Sequence, residues 1–207
     1  MLLLWAGIVL VAAGLAAIAI DRRVSHVLYE RVSLRFWRLL DSTTHLAKAS
    51  HWLVAAVLAY GLSAIVIHMR GPAPGWELAR QCALAFVASL AAGSAVLHTI
   101  KLFFGRRRPR DDIEMGLYGF MPFSFDLDYN AFPSGHALTI MCVAVIATAV
   151  WPDFAPLWFA IAAWLALTRA LLTAHYLSDV LVGAGIGLLS AREVVINFFP
   201  QLALPWF

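Results

Sequence analysis

QCALAFVASLAAGSAVLHTIKLFFGRRRPR, residues Gln81 to Arg110, decides the fold. From Gln81 to Ile100 there is no Asp, Glu, Lys or Arg, and then Lys101, Arg106, Arg107, Arg108 and Arg110 arrive together. A membrane-crossing helix needs about 20 mostly apolar residues. A cation at the bilayer centre costs about 2.5–3.5 kcal/mol. The stretch therefore reads as one span that stops at a charged membrane face.

Outward from it the same pattern recurs. The 207 residues are 62% hydrophobic and only 13% charged, with a mean hydropathy of +0.82. These values exclude a soluble globule. Six segments approach spanning length: Leu2 to Ile20, Leu53 to Met69, Gln81 to Ile100, Gly135 to Val150, Phe154 to Leu172 and Val180 to Phe199. The fold class expected is all-α, a polytopic six-transmembrane-helix bundle forming one domain over residues 1–207. Between the first two segments, Val24, Val27, Leu28, Val32, Leu34, Phe36, Leu39 and Leu40 recur near helical spacing among five arginines. That pattern predicts one or two amphipathic helices on the membrane surface. Met1 to Ile20 lacks a basic leading segment, so it reads as a retained span, not a cleaved signal. Cys82 and Cys142 sit in apolar runs without ligand spacing and read as core residues. The net charge of +3 is explained by basic residues at anionic headgroups, and no nucleic-acid motif accompanies it.

Three polar clusters stand at the edges of these apolar segments: Lys101 with Arg108-Pro109, Pro133-Ser134-Gly135-His136, and Arg169 with His175 and Asp179. In the second, Ser134 is expected to cap the fourth span, and Gly135 lets backbone N–H groups approach an anion closely. His136 then has the position of a general acid. In the third, His175 and Asp179 are four residues apart and are expected to face each other across one helical turn. The carboxylate would accept a hydrogen bond from Nδ1–H, fixing the tautomer and leaving Nε2 free to attack. Taken singly, each cluster also has an ordinary structural reading: a helix start, or a His–Asp pair tying two helices.

Together they carry more. Lys101-x6-Arg108-Pro109, Pro133-Ser134-Gly135-His136 and Arg169-x5-His175-x3-Asp179, in this order, resemble the three-part signature of the type-2 phosphatidic acid phosphatase family. The resemblance implies a metal-independent, cofactor-free lipid phosphatase. Lys101, Arg108, Ser134, Gly135 and Arg169 would hold the phosphate, His175 would become a phosphohistidine, His136 would protonate the leaving lipid, and Asp179 would orient His175. Two positions depart from the family pattern: Thr168 where serine is usual, and Leu177 where proline is usual. The implied partners are a membrane and a lipid substrate: lipid A, undecaprenyl diphosphate, phosphatidylglycerophosphate or phosphatidate, with lipid A and the polyprenyl diphosphate favoured.

Every Lys and Arg except Arg70, Arg80 and Arg192 falls on the motif-bearing side, which by the positive-inside tendency would face the cytoplasm. The resemblance implies the opposite, the periplasmic face of a bacterial inner membrane. Three of those cations are expected ligands and others lie in the surface helices, so the resemblance takes precedence. The loop from Asp111 to Asn130, with Asp111, Asp112, Glu114, Asp126 and Asp128 among Phe120, Phe123, Phe125 and Tyr129, is expected either to frame the substrate headgroup or to anchor at the surface. Competing readings are a lipid phosphotransferase with the same histidine and a lipid transporter. A transporter would place charges near mid-span, whereas these cluster at one set of ends.

Overall fold

The computed structural model describes residues 1–123 and 129–207, and its regular structure there is helical apart from isolated bridges that tie Arg106 to Phe120 and Asn130. The α-helices are α1 (Leu2–Ala17), α2 (Asp21–Arg31), α3 (Leu34–Thr44), α4 (Ala49–Arg70), α5 (Pro74–Phe104), α6 (Pro109–Met115), α7 (Gly135–Val150), α8 (Ala155–Leu171) and α9 (Leu177–Phe198). Short 3-10 turns precede α4 and α8.

Each apolar segment read from the sequence falls on one of the longer helices, Gly135–Val150 with the same ends and the others with shifted ends. α5 runs 31 residues, about 46 Å at 1.5 Å per residue. Pro74 opens it, because a first-turn proline gives up an N–H that would have no helical partner anyway. α1 stops at Ala17, and the chain bends by 86° into α2. Among the described residues, Leu34–Arg70, Pro74–Phe104 and Pro152–Leu171 are long and apolar enough to cross a membrane, and α1 with α2 adds a fourth if that bent pair is one span. α7 is equally apolar but shorter. The outer face of α4 carries Val57, Leu58 and Ile65, each more than half exposed. Contiguous apolar exposure of this kind needs an apolar solvent.

α9 is the central helix and packs against α1, α5 and α7. Its glycines allow this. A methyl group on Gly183 would lie 2.3 Å from the Ser134 carbonyl oxygen, and one on Gly187 would lie 2.5 Å from that of Leu138. The small-residue face thus brings the backbone of α7 against α9 at its N-terminal turn. Gly183→Ala is expected to push that turn away at about 1–3 kcal/mol, seen as a lower Tm in detergent. Gly61→Ala in α4, where nothing lies within 4 Å, should leave Tm unchanged or raise it.

Candidate active site

A cavity of about 450 Å³ opens where α5, α7 and α8 end on the same side, and Lys101, Arg108, Gly135, His136, Arg169 and His175 all line it. Lys101 occupies the last turn of α5, where its Nζ donates to the Asn130 carbonyl at 2.5 Å. Arg108 is the residue before α6. Arg169 closes α8, and its Nη1 donates to Thr44 Oγ1 at 3.3 Å. Two stretches about sixty residues apart, one carrying Lys101 and Arg108 and the other Arg169, so bring three guanidinium or ammonium groups to one cavity, an arrangement complementary to a multiply charged anion.

The first turn of α7 is held by α9 from below. The Ser134 N–H donates to the Asp179 carbonyl at 2.9 Å, and Gly183 sits under the Ser134 backbone. Ser134 occupies the N-cap position, but its hydroxyl makes no capping bond, contrary to expectation. The hydroxyl is buried without a hydrogen-bond partner. The first N–H groups of any helix lack internal partners, so the start of α7, with Gly135 and His136 on the cavity wall, offers donors to an anion.

His175 differs from its expected setting. It precedes α9 and does not open it, because the extended Tyr176 intervenes. Asp179, at the third position of α9, accepts the Tyr176 N–H on Oδ2 at 2.8 Å. That bond fixes the helix start and leaves Oδ2 3.6 Å from His175 Nδ1, beyond a hydrogen bond but within Coulombic reach. Nδ1 lies 2.8 Å from the Ala131 carbonyl. A carbonyl only accepts, so Nδ1 carries the proton and Nε2 keeps a free lone pair. Burial lowers the affinity of His175 for a second proton, with the positive charges of Arg169 and Lys101 acting the same way against Asp179. The ring is therefore neutral in neutral solution.

The sequence reading missed Arg106, two residues before the motif arginine. It is fully buried. Its Nη1 lies 2.8 Å from both Asp179 Oδ1 and Ser178 Oγ, and its Nη2 lies 2.9 Å from Asp21 Oδ2. The Tyr176 ring, with its centroid 4.0 Å away, and the Phe120 ring at 4.7 Å cover the guanidinium. Burial alone would weaken its hold on the proton, but Asp179 and Asp21 more than compensate, so it stays charged. Lys48 and His98 also line the cavity and went unread, since neither belongs to a motif. Thr168, by contrast, turns its buried hydroxyl to Thr44, 2.9 Å away on α3.

The start of the loop expected to frame a headgroup is paired within the protein, while most of residues 114–123 is exposed. Asp112 is paired with Arg22 and His26, and Asp111 with Arg107. Phe120 packs edge-on against Phe132. Phe125, Asp126 and Asp128 lie outside the described residues. Among the described residues no group of three or more His, Cys, Asp or Glu side chains is placed to hold a metal ion.

Residues 82–202 match the PAP2 superfamily. Two curated relatives, both lipid A 1-phosphatases, from Rhizobium etli and Rhizobium johnstonii, are 35% identical over 88 residues. That stretch is 42% of this chain and 38% and 36% of theirs. This chain's match thus spans well under half the length of either relative. Among solved structures, the first transmembrane PAP2 type phosphatidylglycerolphosphate phosphatase from Bacillus subtilis superposes with a TM-score of 0.63 at 21% identity, covering 99% of this chain and 97% of that one. Aquifex aeolicus LpxE gives 0.61 at 15%, covering 86% and 96%. Both are likenesses of fold.

Replacing Arg106 by Met would leave Asp21 and Asp179 buried without their counter-charge. Breaking a buried pair in this way costs about 3–5 kcal/mol, so Arg106→Met is expected to lose most of its monodisperse yield in detergent, while Arg70→Met, at an exposed helix end, keeps the wild-type yield.

Proposed function

The chain belongs to the PAP2 superfamily, and on that premise we propose that it is an integral membrane lipid phosphatase working through a phosphohistidine at His175. One observation carries the reading: the Nδ1–H bond to the Ala131 carbonyl leaves Nε2 as the free nitrogen of a cavity-lining, neutral imidazole. In the first step Nε2 forms a bond to phosphorus as the bond to the lipid oxygen breaks, and His136 gives its proton to that oxygen. In the second, His136 takes a proton from water, the water oxygen bonds to phosphorus, and the Nε2–P bond breaks. Lys101, Arg108, Arg169 and the N–H groups at Gly135 hold the phosphoryl oxygens and oppose the charge that develops on them, with the buried Ser134 hydroxyl supporting them from behind. The Ala131 carbonyl orients His175, and Asp179 favours its cationic form by charge. The roles need neither metal nor cofactor.

The whole chain acts as one domain, with six spans and with α2 and α3 lying on the membrane surface next to the site. It resides in a bacterial inner membrane with the cavity toward the periplasm, as the family resemblance implies. The substrate is a lipid phosphomonoester or diphosphate. The named relatives favour lipid A carrying a 1-phosphate over phosphatidylglycerophosphate, phosphatidate and undecaprenyl diphosphate.

The purified protein in detergent is to be offered these four lipids and scored for released phosphate. Release from one of them, undiminished by EDTA and abolished by His175→Ala, is the expected result. A folded protein that releases none, or that transfers phosphate to a second lipid, overturns hydrolysis. His136→Ala is expected to lower kcat by about 10²–10⁴-fold on a lipid alkoxide, the usual range for general acid catalysis. On p-nitrophenyl phosphate, whose leaving group needs no proton, the loss should be far smaller, and equal losses on both would remove His136 from that role.

A further inference from the structure

Asp21 lies outside the matched family region, at the corner where α1 turns into α2, and nothing in the three motifs includes it. It is nevertheless fully buried. Oδ1 accepts the Ser178 N–H at 3.0 Å, Oδ2 accepts the Ser178 hydroxyl, and Oδ2 lies 2.9 Å from Arg106 Nη2. Asp21 therefore caps α9 from another helix while sharing Arg106 with Asp179. A surface acid would do neither, and a lone buried acid without these partners would be protonated or expelled.

The charge count gives the arrangement a purpose. Arg106 alone would neutralise Asp179, since its Nη1 is 2.8 Å from Asp179 Oδ1. With Asp21 on the other amine, two carboxylates share one guanidinium, and the buried trio keeps one net negative charge. His175 stands beside it, with Nδ1 3.6 Å from Asp179. When Nε2 takes a phosphoryl group, or when the ring is protonated, the imidazole gains positive charge with Nδ1–H retained. A trio of net charge −1 favours that cation, and a neutral Arg106–Asp179 pair would favour it much less.

We propose that Asp21 is a positioning residue for the reaction: it holds Arg106 and the start of α9 in place and keeps negative charge on Asp179 for the cationic form of His175. The proposal rests on the phosphohistidine reading. It also means that the N-terminal helices complete the site electrostatically from outside the region that carries the motifs.

Asp21→Asn keeps the size and removes the charge. The other titratable groups around His175 are Asp179 on α9, Arg106 after α5, Arg169 on α8, Lys101 and His98 on α5, Lys48 before α4, His136 on α7 and, across the cavity, Arg108. All are unchanged in the variant, so a shift in the acid limb of the kcat profile reports the lost charge. With the lipid that the wild type hydrolyses, the expected result is a kcat at least about tenfold lower (an electrostatic effect of the order assigned to one oriented charge), with KM within about threefold and the acid limb moved to lower pH. Asp21→Glu should restore the limb to its wild-type position. An Asp21→Asn protein with wild-type kcat, or one whose activity falls only with its folded fraction while the limb stays put, overturns the proposal. If Asp21→Asn does not fold, Asp21→Glu decides: a folded protein at the wild-type limb supports the charge role, and a folded protein reduced to background overturns it. Inactive wild type would instead fail the parent reading, so the two failures are distinguishable.

Discussion

The guanidinium of Arg106, fully buried between Asp21 and Asp179, is the bridge on which the polar end of the bundle depends. Burying three charges is costly unless each finds a partner of opposite sign and its remaining hydrogen bonds. Here Ser178 serves both Asp21 and Arg106, the Tyr176 N–H serves Asp179, and aromatic faces cover the guanidinium, whose Nε alone is left without a hydrogen-bond partner. The α1–α2 corner, the loop after α5 and the start of α9 are thereby locked to one another. Between the last two sits the connection that carries His175.

A second constraint acts through the backbone. Because Gly183 has no side chain, the N-terminal turn of α7 rests directly on α9, and the Ser134 N–H bonds to the carbonyl of Asp179, the residue whose carboxylate meets Arg106. One residue thus fixes two parts of the cavity, its backbone placing the helix end whose N–H groups face the cavity and its side chain facing the histidine. Cations from α5, the start of α6 and the end of α8 then close the cavity from the other side. The apolar bundle supplies depth and rigidity, and the chemistry is confined to the one end where so many basic residues collect.

Much of this was legible in the sequence because the signals are local. Charge-free runs mark the apolar helices, and each of the three clusters reaches the same cavity, although Pro109, Pro133, Ser134 and Asp179 do not line it. What was not legible depends on contacts between distant segments. His175 and Asp179 have the spacing of a helical pair, yet the competing bond from the Tyr176 N–H sets the helix start after His175, and the Ala131 carbonyl, 44 residues away, accepts the hydrogen bond from Nδ1–H. Arg106 looked like one more basic residue in a basic run. Only the fold shows it buried while Arg108 faces the cavity. Asp21 carried no signal beyond an acid at the end of an apolar run, and Gly183 read as simple packing when that packing sets the position of Ser134.

The most direct test of the account is to quench the protein within a single turnover of a lipid labelled with ³²P and to locate the label. A phosphoryl group on imidazole nitrogen survives alkali and is lost in mild acid. The account predicts such a label on the peptide containing His175 in the wild type, and none in His175→Ala. A label on another residue, an acid-stable linkage, or turnover with no protein-bound phosphate in the single-turnover window would contradict it.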